Sequence, residues 1–478
     1  MKTVIHPARS LALILLTLGT FAVSSLAQEA SIPDAGLNAA IREVLQKPNG
    51  PLTEQDLLSL TNLNACCRNV RSVEGLQLAR NLASLGLDSN SLTNFPIANA
   101  LANLESLSLA FNQLTEFSLV SGLPKLETLD LFNNQLTNFV VTGAFPKLAL
   151  INLGFNGLAR CTLPDGLTNL GTLFLEANQL TNFVLPAGLT ALAFLDLTAN
   201  RLTSFTFRPE MTNLVSVLSF ANQLTNVTLP ASLKRLGNLD LDFNRLRSLI
   251  VPEGLSNLSR LTILGNQLTN LTLPSRMTNL NFLDLGDNQL STMLLPSGMG
   301  RLEFLRLSGN RLTTLSLPPG LTNLAAIFLR SNQLTSLALP KDLTHLVQID
   351  LLGNQVANLT LPPDMSQLLT LVLEGNPIDT VVLSETLAAT NLAGTVTALR
   401  AQGVAVFSYP LLARLISPRR TMDGVFEFTI TGPPGVYAVL ASTNLVTWSE
   451  IGAVTNRFGS IGFLDSVGHS LRFYRARQ

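Results

Sequence analysis

Leucine and asparagine set the rhythm of this chain. From Leu82 onward an apolar frame of leucines, such as Leu192, Leu195 and Leu197, leads to an asparagine and then to one more leucine, Leu202. The asparagine returns every 22 residues without a slip, at Asn90, Asn112, Asn134, Asn156, Asn178, Asn200, Asn222, Asn244, Asn266, Asn288, Asn310, Asn332, Asn354 and Asn376. A fixed period in this range marks a solenoid, in which each turn buries its apolar face against the next. The piece Leu173-x-Leu175 alternates, so both leucines point inward and the residue between them outward. Copies from successive turns should stack as a parallel sheet about 4.8 Å apart. The chain must turn sharply inward after that strand, leaving backbone donors and acceptors in the interior. A column of amides, each able to donate and accept, satisfies them, so the asparagines are expected to be structural.

The second half of each turn alternates again. Leu271 and Leu273 precede Pro274, with Thr272 between them, and Thr360 repeats that placement before Pro362. A β-branched outward residue and a proline after the strand suit a short second strand on the back. Two parallel sheets are expected, or one sheet plus extended back segments. Linking pieces such as Gly188-Leu189-Thr190 and Met277-Thr278-Asn279 should be tight turns or single 3₁₀ turns. One copy breaks the frame: Ser219 takes an inward position and Leu218 an outward one, which implies a distorted strand or a worn repeat.

The period L-x-x-L-x-L-x-x-N-x-L, repeated from about residue 60 to 376, resembles the leucine-rich repeat. The start, Ile32-Pro33-Asp34 through Leu63, resembles the N-terminal cap of bacterial leucine-rich repeat proteins. That resemblance implies an arc-shaped solenoid that binds proteins or other ligands on its concave strand face, and it lends no catalytic residue.

Flanking segments complete the organisation. Residues 1–27 read as a secretory signal: Lys2 and Arg9 supply a basic start, Leu11 to Val23 an apolar run, and Ser25-Leu26-Ala27 a small-x-small cleavage site. The run is shorter than the roughly 20 residues a spanning helix needs, and no other stretch reads as membrane-spanning. Export to the periplasm, the cell surface or the medium follows. Residues 28–59 read as a helical cap. Leu37, Ala40, Ile41, Val44 and Leu45 have helical spacing, Pro48-Asn49-Gly50 stops that helix, and Thr53 with Asp56 opens a second. The array occupies 60–376, with Arg68 standing in the asparagine position of a degenerate first turn. Residues 377–409 should close it, with a helix from Ser384 to Gln402 and a strand over Val404–Tyr409. Pro410 and Ser417-Pro418-Arg419-Arg420 read as a hinge. Residues 418–478, with alternation at Val425–Ile430 and turn signals between short strands, read as a small β-sandwich-like module with Trp448 in or near its core. The text Ala441-Ser-Thr-Asn-Leu-Val-Thr-Trp-Ser-Glu450 and Phe473-Tyr-Arg-Ala476 resembles a C-terminal module of secreted proteins from verrucomicrobial and planctomycete-type bacteria. By that resemblance it would attach or sort the protein at the cell exterior.

Charge narrows the function. Lys plus Arg equals Asp plus Glu at 31 each, so no global field draws nucleic acid or an anionic membrane. Losing Lys2 and Arg9 would take the formal net charge from 0 to −2. Three cysteines make no disulfide framework: Cys66 and Cys67 are adjacent, and Cys161 sits where neighbouring turns place Phe139 or Phe183, as a small core residue. The three histidines, His6, His345 and His469, are too scattered for a zinc site, and no nucleophile elbow, P-loop or dinucleotide fingerprint occurs. No catalytic residue, metal site or cofactor is therefore expected.

The outward slots of the front strands are the candidate site. Asp130, Asp196, Asp240, Asp284 and Asp350 lie between paired leucines, and Asp88, Glu176, Asp242 and Glu374 occupy the next outward slot. Asp240, Asp242 and Asp284 could share one acidic patch, serving solubility or a basic partner. Phe174, Phe194, Leu218, Phe220 and Phe328, with Phe132 beside them, are outward apolar residues suited to an interface, unless they fold partly inward as a shielded stripe. Phe111, Phe155 and Phe243 precede ladder asparagines and read as scaffold that stacks at the turn. The preferred function is an exported, non-enzymatic binding scaffold whose partner is a protein or a glycan. The alternative is an adhesive surface protein in which the repeats are a spacer and the last module makes the contacts.

Overall fold

The computed structural model describes residues 29–97, 100–119, 123–466 and 472–478. The expected signal segment, His6 and His469 lie outside the described residues. Fifteen three-residue strands, from Asn62–Asn64 to Thr370–Val372, pair in chain order as one parallel sheet. Register is unbroken: Leu63 faces Leu85, Leu195 faces Val217, and Ile349 faces Leu371. In the turn ending at Asn200, Leu192, Leu195, Leu197 and Leu202 are all fully buried. Each such side chain contributes about 1.5–3 kcal/mol, so the leucine frame is the main source of stability.

The asparagines close the turns. Asn200 is typical. Its Nδ2 donates to the carbonyls of Leu175 (2.8 Å), Leu197 (3.1 Å) and Thr198 (3.3 Å), and its Oδ1 accepts the backbone N–H of Leu180 (3.0 Å). One amide thus ties two successive turns together and spends both its donor hydrogens and its acceptor inside. The residue before each ladder asparagine is held in the left-handed region, as Ala199 (φ 53°) and Phe243 (φ 52°) are, and glycine fills that slot only at Gly265, Gly309, Gly353 and Gly375. A second, exposed amide column runs along the links. Asn103, Asn213, Asn257, Asn279 and Asn323 each donate to a carbonyl 23 residues earlier.

The back is a broken series of short parallel sheets rather than a second continuous one. Residues 118–119, 138–141 and 160–162 form one sheet; 204–206 pairs 226–228, and 248–250 pairs 270–272. Isolated bridges join Leu294, Ser316 and Ala338. No back strand forms at 182–184, and an open cleft of about 540 Å³ between Cys161, Val184 and Arg208 marks the gap. Proline after most back strands removes a donor, and no amide column enforces closure there. At Ser219 the strand is not distorted. Ser216–Leu218 keeps register with both neighbours, and Ser219 is buried with its hydroxyl unpartnered, so the repeat is simply worn.

Non-repeat elements flank the array at both ends. Helix Ala35–Leu45 starts at Asp34, which accepts from Leu37 N (2.9 Å) and from Arg71 N (2.7 Å), pinning the cap to the first turn. Thr53 and Asp56 form a full capping box on helix Glu54–Leu58. Gly75 (φ +90°) passes so close to Ser31 that a Cβ would meet its carbonyl oxygen. At the other end the expected single helix is two, Glu385–Ala389 and Ala393–Ala401, because Thr390 leaves helical geometry (ψ −99°). Ser384 caps the first, accepting from Leu387 N (3.3 Å). Strands Asn358–Thr360, Thr380–Ser384 and Ala405–Tyr409 continue the back in parallel, and buried Tyr409 donates to Leu361 O (2.6 Å).

The segment 417–420 is no hinge. It ends the strand Arg414–Arg420, which pairs with Phe426–Thr431 through a bulge near Ser417 (φ 53°). The C-terminal region is two three-stranded antiparallel sheets around Phe428, Ile430, Tyr437 and Val439. Trp448 is not in that core. It sits half-buried at the surface, with Arg475 stacked over it at 4.7 Å and its Nε1 donating to Leu445 O (3.2 Å). Cys66, Cys67 and Cys161 are free thiols; Cys161 is buried opposite Phe139, and burial pushes its thiol up to about 12.

Candidate functional site

The front sheet places one residue per turn in each outward slot, and neighbouring slots are one strand apart. Phe174 and Phe194 meet across that gap with ring centroids 5.3 Å apart. Phe220 meets Phe243 edge-on at 5.4 Å, and Phe132 lies between Phe111 (5.3 Å) and Phe155 (5.1 Å). Phe111, Phe155 and Phe243 thus do stack on neighbouring rings at the turn, and they are also open to solvent. Each is about half exposed (49%, 52% and 50%) and widens the front face. Phe220 is exposed, whereas Phe174 and Phe194 are half-buried against each other, Phe328 is half-buried against Phe304, and Leu218 is half-buried between Asp196 and Asp240.

A further three-ring aromatic run is legible in the sequence only in part. Phe282 and Phe304 stack face to face at 4.3 Å (2° between planes), Phe328 joins at 5.1 Å, and the Arg260 guanidinium covers the free face of Phe282 at 3.8 Å. Phe282 and Phe304 occupy the first outward slot of strands Phe282–Asp284 and Phe304–Arg306. Two phenylalanines 22 residues apart in that slot were the available signal.

The acids act on one another across neighbouring turns. Asp240 and Asp242 stay together. Asp242 Oδ1 accepts from Leu264 N (2.6 Å), and Asp240 Oδ1 accepts from Asp242 N (3.0 Å). Burial, then the charges of Asp240 and Asp284, push the Asp242 carboxyl up to about 7, against the Leu264 N–H bond. Asp284, whose charge reaches Asp242, is buried and also faces base: Arg306 lies 3.5 Å from it and 3.6 Å from Asp287. Burial raises its carboxyl, while Gly286 N–H and Arg306 oppose the shift. Asp196 is half-buried and accepts from Thr198 N (2.8 Å). Glu176 lies near it, raised by burial and by Asp196 and Asp130, with Oε2 buried and unpartnered. Among the described residues no group of three His, Cys, Asp or Glu could hold a metal ion. His345 Nδ1 lies 2.7 Å from Thr322 O and 3.2 Å from the hydroxyl of its neighbour Thr344, in an exposed link.

A parallel sheet of 22-residue turns closed by an asparagine column is the leucine-rich repeat fold, and this chain has that fold. Leucine-rich repeat families match residues 102–143 and 301–324, and the BspA-type leucine-rich repeat region matches 168–282. No curated protein matches the chain. Among solved structures, the chain is similar to an internalin, inlF, of Listeria monocytogenes, at 24% identity and TM-score 0.52 over 73% of this chain and 98% of that one. It is also similar to the functional domain of InlJ from the same organism, at 18% identity and TM-score 0.58 over 85% and 97%. YopM, a leucine-rich effector protein of Yersinia pestis, is 25% identical with TM-score 0.51 over 74% and 92%.

Proposed function

We propose that this chain is an exported, non-enzymatic scaffold that binds a basic protein partner across its front strand face. The observation that carries the reading is how charge is distributed. The slot between the paired leucines holds Asp130, Asp196, Asp240, Asp284 and Asp350 against the single base Arg306, in a chain whose net charge is 0. With the flanking outward slots counted, Arg260 and Arg330 join Arg306 against nine acids, so most of the balancing bases lie off that face and the front attracts positive charge at long range. Stacked phenylalanines between the acids supply rigid apolar area for the contact itself. The basic start, apolar run and small-x-small site of residues 1–27 support export.

A second reading has its own observation. The C-terminal module exposes Met422, Leu445, Val446 and Leu464, so it could make the contacts while the repeats act as a spacer. Photo-crosslinkers placed in the full chain at Phe304, at Ile250 on the back and at Val446 separate the two. A partner trapped from position 304 supports the scaffold. Trapping from 446 alone transfers the function to the module.

A further inference from the structure

The front sheet stops at Thr370–Val372, but its hydrogen-bonding pattern does not. In the preceding turn Val347 O accepts from Leu369 N and Thr370 N (2.9 and 3.1 Å), Leu351 N donates to Val372 O (2.9 Å), and Gly353 N donates to Glu374 O (2.9 Å). The equivalent groups one turn on are Leu369 O, Leu373 N and Gly375 N. None has a partner among the described residues. After Asn376 the chain leaves the front and continues only the back, through Thr380–Ser384 and Ala405–Tyr409. Helix Ala393–Ala401 crosses the end of the array without sealing the edge. Between them lies a groove of about 580 Å³, lined by Leu371, Leu373, Ile378, Ala398, Leu399 and Val404. Glu374 and Asp379 are exposed on its rim.

We infer that this groove takes an extended segment of a basic partner polypeptide, which adds a sixteenth parallel strand to the front sheet. Unpaired donors and an acceptor at strand spacing recognise a backbone in extended form, and the adjoining apolar wall recognises its alternate side chains. Glu374 and Asp379 select against a second copy of this chain, since two such edges would bring like charges together, and they favour lysine or arginine beside the incoming strand. The site is separate from the front columns and stands whether or not those columns bind.

The test uses the full chain and a fluorescein-labelled peptide copying residues 301–310, whose strand already fits this sheet and carries Arg301 and Arg306. Saturable binding is expected by anisotropy. Hydrogen exchange should slow at 369–376 on peptide addition. N-methylation of the peptide at Phe304 and Arg306, the amides that would donate to Leu369 O and Leu371 O, should weaken binding at least about tenfold, whereas methylation at Leu305 and Leu307 should not. Glu374→Lys, at an exposed position, should weaken binding about tenfold with an unchanged melting curve. No saturable binding, protection that falls on the Phe282–Phe328 columns instead, or equal loss from either methylation pattern would overturn the inference. Protection of 369–376 by a second copy in the absence of peptide would overturn the choice of partner.

Discussion

Replacing Asn200 by alanine tests whether the amide column holds the solenoid together. Its three carbonyl partners do not all lose their donors. Leu175 O keeps Asn178 Nδ2 (3.1 Å), Leu197 O keeps Asn222 Nδ2 (2.9 Å), and Thr198 O keeps Ala177 N (2.8 Å). The Leu180 N–H, 3.0 Å from Asn200 Oδ1, has no other partner and is orphaned in a buried turn. An unsatisfied buried donor costs about 1–3 kcal/mol, and weakening the shared bonds adds about 1 more, so Asn200→Ala should cost about 2–4 kcal/mol. Asn200→Asp should cost more than alanine at pH 7. It keeps the acceptor for Leu180 but aims a carboxylate at three carbonyl oxygens, and a buried carboxylate without donors is the more costly defect. Its carboxyl would be raised in the folded state, so the stability present below the ordinary carboxylate range is lost as pH rises toward the folded value. Asn213→Ala, in the exposed column where Nδ2 reaches Thr190 O (2.8 Å), is the control and should cost under about 1 kcal/mol. Denaturant midpoints read the stabilities, and hydrogen exchange at Leu180 reads the local defect. If alanine costs no more at 200 than at 213, or aspartate at pH 7 outlasts alanine, the column does not do what its bonds imply.

Three further outcomes follow from the same geometry. Ser219→Leu refills an inward slot that holds a buried, unpartnered hydroxyl and should stabilise by about 1–2 kcal/mol in denaturant melts, whereas a loss would mean the neighbours have already closed the space. Ala199→Gly relieves a left-handed backbone (φ 53°) and should raise stability by about 0.5–1 kcal/mol; a drop would mean that unfolded-chain entropy outweighs the strain. Asp242, pushed up to about 7 from 3.8, lowers stability as pH climbs through that window. Asp242→Asn keeps an acceptor for Leu264 N, so it should match the parent below pH 4 and exceed it at pH 8. The gain, discounted for partial exposure, should be about 1–2 kcal/mol, checked by melting temperatures across pH.

The front of the molecule was readable because its period is exact and its constraint local. Leu195 and Leu197 point inward in any strand of that pattern, and an amide at Asn200 can meet buried backbone groups only if turns stack. The acidic and aromatic slots were readable too, since alternation assigns them to one face. What lay beyond reach was the pairing between slots. Phe282 lies flat on Phe304, Asp284 faces Arg306 while its charge still reaches Asp242, and Phe243, itself left-handed, projects outward. Each outcome depends on which neighbour 22 residues away supplies charge or ring area, and on local backbone handedness.

The ends and the back show the division most clearly. Periodicity alone determined the coil, its core and its face, because every turn repeats one solution to burying leucine and satisfying backbone amides. Only the tertiary structure decided that the back sheet breaks at 182–184, that Ser417–Arg420 is a strand, that Trp448 lies outside the module's core, and that the last front edge is left unpaired. Those features are single events without a repeat to average them. They are set by packing between segments far apart in the chain, where neither spacing nor propensity carries the information.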